Sequence, residues 1–169
     1  MNVFSKFDIC WGYNNIRIKE GDQHKVVFKT KYGLYELNVM FFGLTNSPAT
    51  FQAMMDHILQ PWAEEWALED VKGSWYMDDV LVASRNKEKH QQAIHELLDI
   101  LEANDLFLKL EKCIWEQPRM DYLRLILEEG VMCMDLAKVA GIATWPTPTS
   151  VKQVQSFLGF CNFYRPFIY

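Results

Sequence analysis

Two adjacent acids, Asp78 and Asp79, stand in the stretch Trp75-Tyr76-Met77-Asp78-Asp79-Val80-Leu81-Val82-Ala83-Ser84. An aromatic-rich run precedes them and an apolar run follows, which predicts a hairpin with the acids at its tip. Neighbouring carboxylates repel, and a tight, partly buried turn penalises them unless a positive charge compensates. A divalent cation would do so, and Mg²⁺ favours a few carboxylate oxygens together with substrate phosphates. Asp is also a favoured turn residue, so the pair by itself reads more readily as a solvated turn. A third acid, Asp8, closes the alternating run Val3-Phe4-Ser5-Lys6-Phe7-Asp8-Ile9 and so belongs at a strand end. An isolated Asp there is more often a cap or turn residue, and Tyr13, five positions on, more often core than ligand-facing.

Other reactive residue types give little by themselves. Cysteines 10, 113, 133 and 161 form no CxxC pair or finger spacing, which points to reduced thiols, no disulfides and no zinc site. Histidines 24, 57, 90 and 95 also lack metal-site spacing, since His90 and His95 are five apart. Lys25, Lys29 and Lys31 could follow a phosphate backbone or simply line a solvated strand. The net charge of −5 argues against a free-standing nucleic-acid binder. No apolar run reaches membrane-spanning length and no charged-then-apolar leader opens the chain. The expectation is a soluble intracellular protein, cytoplasmic or nuclear, neither secreted nor membrane-bound.

At 169 residues, half of them apolar, the chain can bury a core. Strands are expected at 3–8, 25–31 and 34–40, the last two joined through Tyr32-Gly33. A helix over 47–66 follows the loop Phe41-Phe42-Gly43-Leu44-Thr45-Asn46, with Asn46 or Ser47 as cap and Pro48 in the first turn. Gly43 would let a backbone approach a ligand closely, and the helix start could meet an anion. After the hairpin, Asn86 caps an amphipathic helix over 87–103, with Ile94, Leu97, Leu98 and Leu101 inward and its His, Glu, Lys and Gln outward. Glu128-Glu129-Gly130 joins two further short strands. Asp135 caps a helix to about Ala143, Pro146 and Pro148 break it, and Ser150 to Gln153 form a capping box. The helix that box opens carries Val151, Val154, Leu158 and Cys161 on one stripe.

Together these stretches resemble the reverse transcriptases of gypsy-type LTR retrotransposons, with retroviral enzymes more distant. Phe4-Ser5-Lys6-Phe7-Asp8 with Trp11-Gly12-Tyr13 resembles the first aspartate motif, and Tyr76-Met77-Asp78-Asp79 the second. Phe42-Gly43-Leu44-Thr45-Asn46-Ser47-Pro48-Ala49-Thr50-Phe51-Gln52 is similar to the motif lining the nucleotide and template site. Leu108-Lys109-Leu110-Glu111-Lys112-Cys113 resembles the lysine motif, and Tyr122-Leu123-Arg124-Leu125-Ile126 the primer-grip hairpin. Lys138-Val139, Trp145-Pro146, Ser156-Phe157-Leu158-Gly159 and Tyr164-Arg165 are similar to the start of the thumb and connection. Arg124 stands where that hairpin usually has glycine, and Leu110 where the lysine motif often has proline.

The resemblance implies an α+β fold. It would be a polymerase palm, an antiparallel sheet backed by two helices, over 1–134 with a fingers remnant at 20–40. The start of a helical thumb or connection would occupy 135–169. It implies RNA-directed DNA polymerisation, the transfer of dNTPs onto a primer 3′-hydroxyl, with two Mg²⁺ ions held by Asp8, Asp78 and Asp79; Mn²⁺ could substitute. It assigns Tyr13 to collision with a ribose 2′-hydroxyl, and Phe42 and Gly43 to the platform under the incoming base and sugar. Gln52, Tyr76 and Met77 fall in the same substrate motifs. Lys112, with Lys109 as second choice, would stand near the leaving phosphates. Implied partners are an RNA or DNA template with its primer, and the fingers, RNase H and integrase regions of a polyprotein. The alternative is a non-catalytic retroelement remnant, or a binding module that keeps the palm fold.

Overall fold

The alternation of apolar and polar side chains over 3–8 and 79–84 puts one row of each strand on a core and the other on the opposite face. The chain, seen as a computed structural model that describes residues 1–134, 140–142, 144–163 and 165, uses that alternation to separate packing from chemistry. Its first half holds β1 (Val3–Asp8), β2 (Val27–Thr30), β3 (Gly33–Glu36), α1 (Ser47–Ala67), β4 (Val71–Tyr76) and β5 (Asp79–Ser84). Then come α2 (Lys87–Ala103), β6 (Ile114–Gln117), β7 (Arg119–Tyr122), β8 (Leu125–Glu128), β9 (Val131–Met134) and α3 (Val151–Phe163). Two compact units result, one of Val3–Gln117 and one of Met1–Asn2 with Pro118–Tyr169.

In the larger unit the strands order as β4-β5-β1-β6, all antiparallel. Phe7 pairs with Val80 and Ser5 with Val82, so these four share a face. Phe7, Val80 and Val82 join Phe51, Met55 and Leu59 of α1 and Ala93, Ile94 and Leu97 of α2 in one core. Each such fully buried large side chain contributes about 1.5–3 kcal/mol. Asp8 and Asp79, one register position on, fall on the other face. Helix α1 lies close on β4, where a Cβ at Gly73 would come within 2.3 Å of the Trp62 ring. The Trp62 indole donates to the Ala93 carbonyl at 3.1 Å and that of Trp66 to Glu96 Oε2 at 2.7 Å, tying the part of α1 after Pro61 to α2. The α+β architecture, a sheet backed by two helices, is the one expected.

Several local expectations change. The segment 34–40 is not one strand: β3 ends at Glu36, and 38–40 turns to pair with 16–18 through Met40 N–H to Ile16 O (2.8 Å) and Ile18 N–H to Asn38 O (2.9 Å). A second, nearby backbone partner outcompetes straight continuation. Neither Asn46 nor Ser47 caps α1 with its side chain; the Ser47 hydroxyl donates to Phe41 O at 3.1 Å and folds the loop onto the helix start, while Pro48 sits in the first turn. Asn86 does cap α2, its Oδ1 accepting from Glu88 N (2.8 Å) and Lys89 N (3.1 Å). His90 is not on the solvent side of α2 but is fully buried, because Ser5 offers it a hydrogen bond from β1 at 2.8 Å.

The smaller unit contains the antiparallel sheet β7-β8-β9. Leu123 (φ 47°) and Arg124 (φ 68°) form the first turn, both in the left-handed region. Glu129 and Gly130 form the second, and the Gly130 amide donates to Met1 O at 2.7 Å. At α3 the capping box forms with a shift: Gln153 N–H donates to Ser150 Oγ (3.3 Å), while Gln153 Oε1 accepts from Thr149 N (2.7 Å). The stripe of Val151, Val154 and Leu158 is exposed, and Phe157 and Phe160 pack instead on Trp145 at 5.7 and 5.2 Å. A flat indole offers those rings more contact than the aliphatic stripe can find. The Asp135 cap, Lys138, Val139 and Tyr164 lie outside the described residues.

Candidate active site

Antiparallel pairing brings the acids together. Asp8 ends β1 and is the register partner of Asp79, the first residue of β5. The hairpin from β4 to β5 turns through Met77 and Asp78, closed by the Tyr76–Asp79 pair. Asp78 thus occupies the tip and Asp79 the strand start, while Tyr76, Asp79 and Asp8 lie in a row on the face away from the helices. The Ile9 amide donates to Asp78 O at 2.9 Å and the Lys109 amide to Asp8 O at 2.8 Å, which fixes both backbones.

The turn is strained and held. Met77 has φ 55°, a conformation that costs a side-chain-bearing residue about 1–2 kcal/mol. Its amide donates to Gln52 Oε1 at 2.8 Å, and Gln52 Nε2 donates to Asp56 Oδ1 at 2.8 Å. The Trp75 indole donates to the same Asp56 oxygen at 2.8 Å. One turn of α1 therefore sets the aim of the acidic tip. Asp56 and Trp75 were not expected to matter; the signal was the Gln52/Asp56 spacing of four on one helix.

Two lysines meet the acids. Lys112 Nζ lies 3.2 Å from Asp8 Oδ2 and Lys6 Nζ 2.9 Å from Asp79 Oδ1. The hydrogen bond to Asp8, then the charges of Asp8, Asp78 and Asp79, hold the Lys112 ammonium above the usual lysine range. All three carboxylates thus act on one cation. Lys6 had no assigned role, although its position two residues before Asp8 puts it on the same strand face. Among the described residues, no three His, Cys, Asp or Glu side chains form a ready metal cage.

Asp8, Asp78, Lys112, Lys109 and Phe42 line one cleft of about 630 Å³ with the 10–12 turn, in which Trp11 has φ 58°. Phe42 is 80% exposed and rests on Tyr13, centroids 4.8 Å apart; Tyr13 in turn packs edge-on against Phe51 at 5.7 Å. Gly12 is needed there, since a Cβ would meet the Phe51 ring at 2.9 Å. Of the substrate residues expected from sequence, Phe42 and Lys112 line the cleft and Tyr13 supports Phe42. Gln52 and Met77 form the turn support. Tyr76 is exposed beside the acids, and Gly43 (φ 110°) shapes the loop after Phe42 without lining the cleft.

The family whose description reads "Reverse transcriptase (RNA-dependent DNA polymerase)" matches residues 1–127. The chain is 33% identical over 165 residues to the Retrovirus-related Pol polyprotein from transposon 297 of Drosophila melanogaster, covering 98% of this chain and 15% of that protein. Against the corresponding polyprotein from transposon opus it is 34% identical over 165 residues, covering 98% and 16%. The Transposon Tf2-3 polyprotein of Schizosaccharomyces pombe is 28% identical over 166 residues, with coverage of 98% and 12%. The chain therefore spans well under a fifth of the length of these relatives. Two solved structures share its fold at 21% identity. The foamy viral protease-reverse transcriptase with RNA/DNA hybrid has a TM-score of 0.78 and covers 97% of this chain and 21% of that one. The dRH form of that protein with ds DNA has a TM-score of 0.84, covering 98% and 28%.

Proposed function

We propose, since this chain belongs to the reverse transcriptase (RNA-dependent DNA polymerase) family, that it is the palm and first thumb segment of a gypsy-type LTR-retrotransposon polymerase. Its reaction is the addition of dNTPs to a primer 3′-hydroxyl on an RNA or DNA template. The observation that carries this reading is the register pairing of Asp8 with Asp79 on adjacent strands, with Asp78 at the adjoining hairpin tip lining the same open cleft as Asp8 and Lys112. Asp8 and Asp78 are hard oxygen donors on one cleft, with Asp79 the register partner of Asp8, a set that suits Mg²⁺ sharing its coordination with substrate phosphates, with Mn²⁺ as substitute. Bound there, a pair of such ions supplies activation of the 3′-hydroxyl and neutralisation of the leaving pyrophosphate.

The chain's own residues do the positioning. Gln52 and Asp56 keep the Met77–Asp78 turn aimed, so the acid at the tip needs no reorganisation when substrate arrives. Phe42, braced by Tyr13, offers an exposed aromatic face for the incoming base and sugar, with Gly43 allowing close backbone approach. Tyr13 limits room beside that face and so favours deoxynucleotides. Lys112 supplies positive charge near the leaving phosphates, and Tyr76 flanks the primer end. The fingers, RNase H and integrase regions of a polyprotein are its covalent partners, and the setting is intracellular.

One observation favours the second reading, a non-catalytic remnant: Asp8 and Asp79 are both already paired with lysines. Primer extension on an RNA template separates the two. The 169-residue chain is assayed alone and also grafted in place of the matching segment of the transposon 297 polyprotein. Mg²⁺-dependent incorporation by the graft, lost on Asp78→Asn, supports the polymerase. A graft that folds, binds template–primer and incorporates nothing supports the remnant.

A further inference from the structure

Asp8 and Lys112 are unequal partners. The Asp8 side chain is 13% exposed, at the end of a central strand whose neighbours fix it on both sides. The Lys112 side chain is 54% exposed and ends a single 3-10 turn, Leu110–Lys112. A largely buried carboxylate is costly without a counter-charge, whereas an exposed ammonium returns to water at little cost. Lys6 is the less mobile cation, 21% exposed and carried on β1 itself. The cleft shared by Asp8, Asp78 and Lys112 is open to solvent, and the lysine is more exposed there than Asp8.

We infer that Lys112 is a displaceable counter-cation: its ammonium competes with divalent metal for Asp8, and must leave that carboxylate before a metal ion can be held there. The inference rests on the polymerase reading of the three acids and adds a role for Lys112 before metal binds. With Lys112 in place the acids do not repel one another's strands apart. Its exchange couples arrival of metal to release of a positive charge into the same cleft, where an anionic substrate needs it. Lys6 remains on Asp79 and keeps the β1–β5 end closed during the exchange.

Mn²⁺ binding to the full 169-residue chain, followed by loss of the free-ion electron paramagnetic resonance signal, tests this without turnover. Lys112→Ala is expected to tighten binding about three- to tenfold, the scale set by removing one partly exposed ion pair and one like charge. Lys112→Arg keeps the competitor and should bind as the wild type does. Lys89→Ala, which removes an equal charge from α2, where it pairs with Glu69, controls for net charge and should leave the midpoint within about twofold, as a screened distant charge does. Circular dichroism checks that each variant is folded. An unchanged or weaker midpoint in Lys112→Ala, with binding still weakened by Asp8→Asn, overturns the exchange and leaves the metal site standing. Binding insensitive to Asp8→Asn, or absent from every variant, removes the polymerase reading and the exchange together.

Discussion

His90 gives the fold a pH limit. Its Nε2 lies 2.8 Å from the Ser5 hydroxyl, and the same oxygen accepts the Glu116 amide at 2.9 Å. Its Nδ1 is buried with no hydrogen-bond partner among the described residues. A protonated ring carries a donor on both nitrogens, so the cation would bury an unmet N–H. Burial accordingly pulls the His90 pKa below its ordinary value, against a smaller upward pull from Glu116. Glu116 is itself held below the usual carboxylate range by Lys87 and Gln91, so it stays charged through the same window. The unfolded chain then binds the proton more readily than the folded one, and stability falls as pH drops from neutral through the ordinary imidazole value of 6.5 and below it. The urea midpoint of the wild type should decline over that interval, with that of His90→Gln nearly flat. A parallel decline in both would assign the loss to other groups. The sequence placed this histidine with the polar side of α2; what buries it is Ser5, 85 positions away, and no local pattern carries that.

At the scale of elements, the turn between β7 and β8 is where local sequence and local structure disagree. Leu123 and Arg124 both have positive φ, and β7 and β8 nevertheless keep four paired positions from Arg119↔Glu128 to Tyr122↔Leu125. The turn is the right kind for a hairpin, built from the wrong residues. Arg124→Gly should relieve about 1–2 kcal/mol of left-handed strain and return about 0.5–1 kcal/mol through the looser unfolded chain, for a net gain near 1 kcal/mol. Hydrogen exchange of the β7–β8 amides reads this locally, and protection should rise about fivefold, the equivalent of that energy. Unchanged protection would mean that Arg124 makes a compensating interaction. The β8–β9 turn was legible because its signal is the adjacent residues Glu128-Glu129-Gly130, as was the Asn86 cap on α2, whereas Leu123-Arg124 carries no such signal and its hairpin came only from the resemblance. The pairing of 38–40 with 16–18 was not legible, since nothing within 34–40 marks a partner twenty residues earlier.

Across the whole molecule, the candidate site was legible as three acids and a cleft-lining aromatic, while its lysine pairings and the Gln52–Asp56 support came only with the fold. Pairings of that kind depend on which side chains two separate elements present to each other. The same holds for the distribution of the core. The continuous apolar cluster runs from Phe7 to Leu106, wholly within the Val3–Gln117 unit. Beyond Gln117, the buried apolar side chains among the described residues are Met120, Tyr122 and Leu127. Every strand that pairs with β1 or β5, and each of Asp8, Asp78, Asp79 and Lys112, also lies before Pro118. A unit of this length buries roughly two-thirds of its unfolded surface, enough for independent stability. A chain of residues 1–117 should therefore melt in one cooperative transition with its near-ultraviolet aromatic signal intact, since Trp62, Trp66 and Trp75 keep their hydrogen-bond partners. Its Mn²⁺ midpoint should match that of the full chain within about twofold, because Asp8, Asp78, Asp79 and both lysines paired with them are all retained. A broad transition with exposed apolar surface, read by dye binding, would show instead that the core needs residues after 117 to close.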